Sequence, residues 1–169
     1  MWNNEAVINT VRFIVLVLAQ VLLLDHINFL GYLNPYLYIF FVLMYPFSGN
    51  KGLLIFLGFL IGLSIDLFND SGGVQAGATT LIAWARPAIL KFSFGVSYEY
   101  NTVRINSASL SQQLIYVGSM VFLHHLVLFI LEIFNSQQIL LILKSTLFSG
   151  IFSMIVIFCT LYLFSRRNS

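Results

Sequence analysis

Residues 139–164, ILLILKSTLFSGIFSMIVIFCTLYLF, carry a single charge, Lys144, in a run of 26. A run this long and apolar leaves few options. About 20 helical residues cross a hydrocarbon layer, and in lipid a spanning chain must satisfy its own backbone as a helix or a closed barrel. Similar runs recur at 7–24, 35–47, 52–68, 74–90 and 113–134. Hydrophobic residues make up 59% of the chain and charged residues 8%, where soluble domains use about a quarter charged residues. The expected fold is an all-α integral membrane protein. It forms one transmembrane domain over residues 1–169, a compact bundle of about six transmembrane helices. A length of 169 residues leaves no room for an additional soluble catalytic domain.

The boundaries follow from local chemistry. The first run is longer than a signal-peptide core and no small-residue cleavage site follows it, so it reads as a retained helix ending at Asp25-His26. The second is short, opened by Pro35 and closed by Pro46, with room for a tilted or partly re-entrant segment and an interfacial stretch over Ile27 to Leu33. "SGNK" and "NDSGG" turn the chain into the third and fourth runs, and Pro87 is expected to kink the fourth near its end. Lys91 to Gln112 is a long polar segment, and "NSQQ" separates the last two runs. Basic residues in short loops stay in the cytoplasm. Arg12, Lys51, Arg86, Lys91, Arg104, Arg166 and Arg167 all fall on one side of a six-span chain, opposite Asp25, Asp70 and Glu132. Only Lys144 dissents, and both termini are therefore expected in the cytoplasm.

Residues unsuited to lipid mark the candidate packing and partner-binding positions. Gly58, Gly62 and Asp66 recur at i, i+4 and i+8, which places two glycines and a carboxylate on one helix face. The fourth run answers with Gly73, Ala76, Gly77, Thr80 and Ala83, and small residues let helices approach closely in lipid. A tight hairpin of the two is expected. Asp66 has two main readings: a polar fixture facing the bundle or a partner, or a helix-end acid bonded to the open N–H groups that begin the fourth helix; a third, acid–base work paired with Asp70, lacks an accompanying nucleophile or metal-ligand cluster. His124 and His125 lie mid-run and, about 100° apart on a helix, cannot share one direction. Interhelical hydrogen bonding fits them better than a proton relay, and too few ligands accompany them for zinc. No metal or other cofactor is expected.

A net charge of +2 gives no reason to expect nucleic acid as a partner, and the lone Cys159 cannot form an intrachain disulfide. No Gly-x-Ser-x-Gly, His-Glu-x-x-His or phosphate-cradling glycine loop occurs, so no enzymatic activity is expected. The succession "VRFIVLVLAQVLLLDHINFLGYLNPYLYIFFVLMYPF", "GFLIGLSIDLFNDSGGVQAGATTLIAWARP", "FGVSYEY" and "FLHHLVLFILEIF" resembles the rod shape-determining MreD family over nearly the whole chain. Its most specific part is the block holding Gly62, Asp66, Gly72, Gly73, Ala76 and Ala78. The resemblance implies a multi-pass scaffold in the bacterial inner membrane, part of the cell-elongation machinery that directs cell shape and lateral peptidoglycan synthesis. Its implied partners, besides membrane lipid, are MreC and, through it, MreB, RodA and a class B penicillin-binding transpeptidase. The rival expectation is the substrate-binding subunit of a vitamin-type transporter. The first helix, however, lacks the alanine-spaced docking surface that such subunits use.

Overall fold

The computed structural model describes residues 2–27, 34–47, 49–95, 105 and 108–165. Arg104, Arg166, Arg167, the stretch 28–33 and most of the polar segment before Gln112 lie outside them, as does most of "FGVSYEY". Six α-helices follow in order: α1 (Trp2–Leu22), α2 (Ile39–Met44), α3 (Lys51–Asn69), α4 (Val74–Phe94), α5 (Leu110–Ile133) and α6 (Ile139–Ser165). No strand occurs among the described residues. Four segments are long and apolar enough to cross a membrane: Ala6–His26, Lys51–Asn69, Leu110–Ile133 and Ile139–Leu163.

The helices pack in chain order from α3 to α6, with α1 against α3 and α2 enclosed among α1, α3, α4 and α5. Their polarity is arranged for lipid. On α6 the inward stripe is Ile142, Thr146, Ser149, Ser153, Ile157 and Leu161, while Leu140, Leu143, Leu147, Ile151 and Ile155 are exposed. A helix that turns its hydroxyls inward and its large aliphatic side chains outward suits a hydrocarbon surround, where lipid already accommodates apolar surface. Lys144 is exposed five residues into α6. That is about 7.5 Å from the helix start at 1.5 Å per residue, within reach of the headgroups for a snorkelling side chain. Helix α4 matches the others in length, but Gln75, Thr79, Arg86 and Ser93 are buried along it, so its polar residues face protein. It continues as a helix through Pro87 to Phe94.

The second apolar run departs most from expectation. Only Ile39–Met44 is α-helical, and Ile39 to Leu43 are all buried. The surrounding segment nevertheless reaches from one end of the bundle to the other. Tyr36 lines a cleft with Ser71 and Glu132 at one end, and the Phe47 ring lies 6.0 Å from Phe94, the last residue of α4, at the other. Backbone that is not helical is tolerated at membrane depth only where protein surrounds and satisfies it. Side chains do so here. The Leu37 N–H donates to Gln20 Oε1 at 2.8 Å, the Tyr36 N–H donates to Ser153 Oγ at 2.9 Å, and Gln20 Nε2 donates to the Pro35 carbonyl at 3.0 Å. At the far end the Leu43 carbonyl accepts from Tyr116 Oη at 3.1 Å and Arg86 Nη2 at 3.4 Å. The Met44 carbonyl accepts from Arg12 Nη1 at 3.1 Å, and the Tyr45 carbonyl accepts a short bond from Arg86 Nη2.

These bonds correct the reading of two charges. Arg86 does not stand beside the polar loop: it is 4% exposed, donates Nε to Tyr116 Oη at 2.9 Å and lies 5.3 Å over the Phe47 ring. Arg12 lies ten residues into α1 and not at its start. Both guanidiniums hold carbonyls at the end of α2, where partial negative charge collects. Lys51 and Lys91 remain exposed at the neighbouring ends of α3 and α4.

Candidate functional site

Helices α3 and α4 meet along glycine. A Cβ built on Gly62 would lie 2.5 Å from Ala76 Cα and 2.6 Å from both Ala76 N and the Gln75 carbonyl. These are backbone atoms that no side-chain rotation can clear. A Cβ on Gly58 would meet Ala83 Cβ at 3.1 Å and the Thr79 carbonyl at 3.4 Å, a looser approach. The face of α4 that receives α3 is therefore Ala76, Thr79 and Ala83. Thr80 is half-buried and bonds back to the Ala76 carbonyl at 2.6 Å, while Gly77 is exposed with Leu131 of α5 as its neighbour.

Asp66 closes the hairpin. It is 4% exposed and accepts from the N–H of Gln75 at 3.0 Å on Oδ1, from the N–H of Ala76 at 2.8 Å on Oδ2, and in a short bond from the Ser71 hydroxyl. Gln75 and Ala76 are the second and third residues of α4, and the residue before the helix is Gly73, which has no side chain to cap it. Asp66 thus supplies from α3 the cap that Gly73 lacks, opposite the positive end of α4. Of its two main readings the helix-end acid bonded to α4 is the observed one, and that bonding is also what fixes the packing face. The turn between permits it because Asp70, Gly72 and Gly73 all take positive φ. Glycine adopts that region freely and aspartate tolerates it.

The two histidines divide as the helix geometry requires. His124 Nε2 lies 2.8 Å from Tyr38 Oη, and His125 Nε2 lies 3.0 Å from Ser153 Oγ on α6. His125 Nδ1 lies 2.8 Å from the Val121 carbonyl. A carbonyl only accepts, so Nδ1 carries the proton and the neutral ring accepts from Ser153 at Nε2. Ser153 in turn accepts from the Tyr36 N–H, which makes a closed chain in which each proton has one place. Both rings are fully buried, and His124 Nδ1 has no partner among the described residues. The pair ties α5 to α6 and to the segment that holds α2.

Above this network, at the α3–α4 turn, a cleft of about 290 Å³ opens between Tyr36, Asn69, Ser71, Gln75 and Glu132. No group of three or more His, Cys, Asp or Glu that could hold a metal occurs among the described residues. Sequence reasoning missed Gln20, Tyr116, Ser153 and the buried role of Arg86. The available signal was the presence of polar residues within otherwise apolar helices, which in lipid point inward. Comparison of the chain with family models, with curated proteins and with solved structures gave no match.

Proposed function

We propose that this chain is a multi-pass scaffold subunit of the bacterial cell-elongation complex in the inner membrane, as its resemblance to the MreD family implies. The observation that carries the reading is the use of the resembling block. Gly62, Asp66 and Ala76 lock α3 to α4, with Gly73 in the turn that joins them. The outer surfaces of α1 and α6 support it further, since only 17% and 28% of their apolar stretches are buried. Helices so little covered offer long faces to a partner's membrane helix, such as that of MreC. MreB, RodA and the transpeptidase are then reached through MreC. Crosslinking in native membranes followed by affinity capture is expected to recover MreC together with wall-synthesis enzymes. Recovery of an ATPase module without them would replace this reading with the substrate-binding subunit of a small-molecule transporter, the reading that the cleft beside Glu132 favours.

The orientation belongs to the same proposal. Lys51 and Lys91 at neighbouring helix ends, with Arg104, Arg166 and Arg167 in the sequence, support six crossings with both termini in the cytoplasm. In a Cys159→Ser background, a single cysteine at Asn101 is expected to react only from the cytoplasm, and one at Gln137 only from outside. Reversal at either position ends the six-crossing scheme.

A further inference from the structure

The cleft at the α3–α4 turn is lined by five polar and two apolar side chains, and its polar groups are biased towards acceptors. Ser71 has donated its hydroxyl proton to Asp66, which leaves only lone pairs on Oγ. Asn69 donates its amide nitrogen to Asp25 Oδ2 at 2.8 Å, and its carbonyl oxygen remains as an acceptor. Gln75 lines the cleft, is 6% exposed, and its Oε1 has no hydrogen-bond partner among the described residues. Glu132 stands exposed at the rim. The Tyr36 ring completes the wall. The positive end of α4 does not offset this charge, since the Gln75 and Ala76 N–H groups are already engaged by Asp66.

A surround of acceptors, one rim carboxylate and an aromatic face selects a compact cation with several N–H donors. It disfavours an anion. We propose that this cleft receives a primary ammonium group, with Glu132 as the charge partner and Gln75, Asn69 and Ser71 as acceptors. A volume of about 290 Å³ holds a small headgroup or a free amine and excludes an acyl chain. The site is independent of the scaffold role, and neither stands or falls with the other.

Purified full-length protein titrated with ethanolamine tests the soluble source. Reconstitution in phosphatidylglycerol nanodiscs containing phosphatidylethanolamine or phosphatidylcholine, with retained lipid read by native mass spectrometry, tests the headgroup. Saturable ethanolamine binding, or retention of phosphatidylethanolamine over phosphatidylcholine, is expected, weakened about tenfold by Glu132→Gln and by Gln75→Leu. Glu132→Gln is isosteric and lies at an exposed rim, so an unchanged melting temperature separates loss of the site from loss of the fold. Binding of ethanolamine alone assigns a free amine, and retention of the lipid alone assigns a headgroup. Failure of both probes, preference for inorganic phosphate over ethanolamine, or indifference to both substitutions would overturn the proposal.

Discussion

Gly62→Leu is expected to prevent the α3–α4 hairpin from closing, with a large loss of folded yield, and Gly62→Ala to be costly in itself. The alanine methyl has nowhere to go, because the atoms 2.5–2.6 Å away belong to the backbone of α4. Overpacking typically costs about 1–3 kcal/mol when side chains can yield. Here the helices must separate, which also removes the close contact that drives their association in lipid. Gly58→Ala, with its nearest contact at 3.1 Å to a side-chain carbon, is expected to cost less. Gly77→Ala, against the movable end of Leu131, is expected to cost least. Unfolding by denaturing detergent, followed by helix content, ranks the four. Normal accumulation and stability of Gly62→Leu would refute the close-packing account.

The second large effect is expected at Asp66. Leucine there leaves the N–H groups of Gln75 and Ala76 and the Ser71 hydroxyl without their acceptor. One buried unpaired donor costs about 1–3 kcal/mol and loss of a helix cap about 0.5–2 kcal/mol. A combined loss of about 3 kcal/mol or more is therefore expected. Asparagine retains one oxygen, which can still serve Gln75 or Ser71, but turns an NH₂ group towards the Ala76 N–H or its counterpart. It is expected to be intermediate, so that stability falls in the order Asp, Asn, Leu. Thermal unfolding of the three proteins in one detergent checks the order. Equal stability of Asp66→Leu and wild type would mean that the carboxylate caps nothing.

The hairpin was legible because its cause is local. The i, i+4, i+8 spacing of Gly58, Gly62 and Asp66 states which face packs, and Gly72-Gly73 states where the chain turns. Helix bounds for α3, α5 and α6 follow the apolar runs to within a few residues for the same reason. The second run was not legible in this way. Nothing within 35–47 says that its helix has six residues, because the groups that replace the missing backbone bonds lie far along the chain, at Gln20, Arg86, Tyr116 and Ser153. Arg86 misled for a related reason. Counted by sequence it is a basic residue near a loop, whereas the carbonyls that make its burial tolerable belong to another segment. Thr79 and Thr80 both fit a spacing of three or four residues from Ala76, and only the crossing of α3 over α4 selects Thr79, which the sequence reading does not name. The cleft was legible only as the presence of acids at one end of the chain's spans.

The segment around α2 has a bearing on how the protein is made. It is synthesised before α3 to α6, yet the side chains that secure it come from α4, α5 and α6 as well as from α1. The α3–α4 pair carries its cap and its glycine seam within about 30 residues, so it can form as soon as both helices are in the membrane. The earlier segment cannot, because the Arg86 and Tyr116 donors and the Ser153 acceptor do not yet exist. Enclosure of this segment is therefore expected to run out of chain order, completed only when α6 brings Ser153 to the Tyr36 N–H. A chain truncated before α6 would lack Ser153 and remain open at that point, whatever the state of its hairpin.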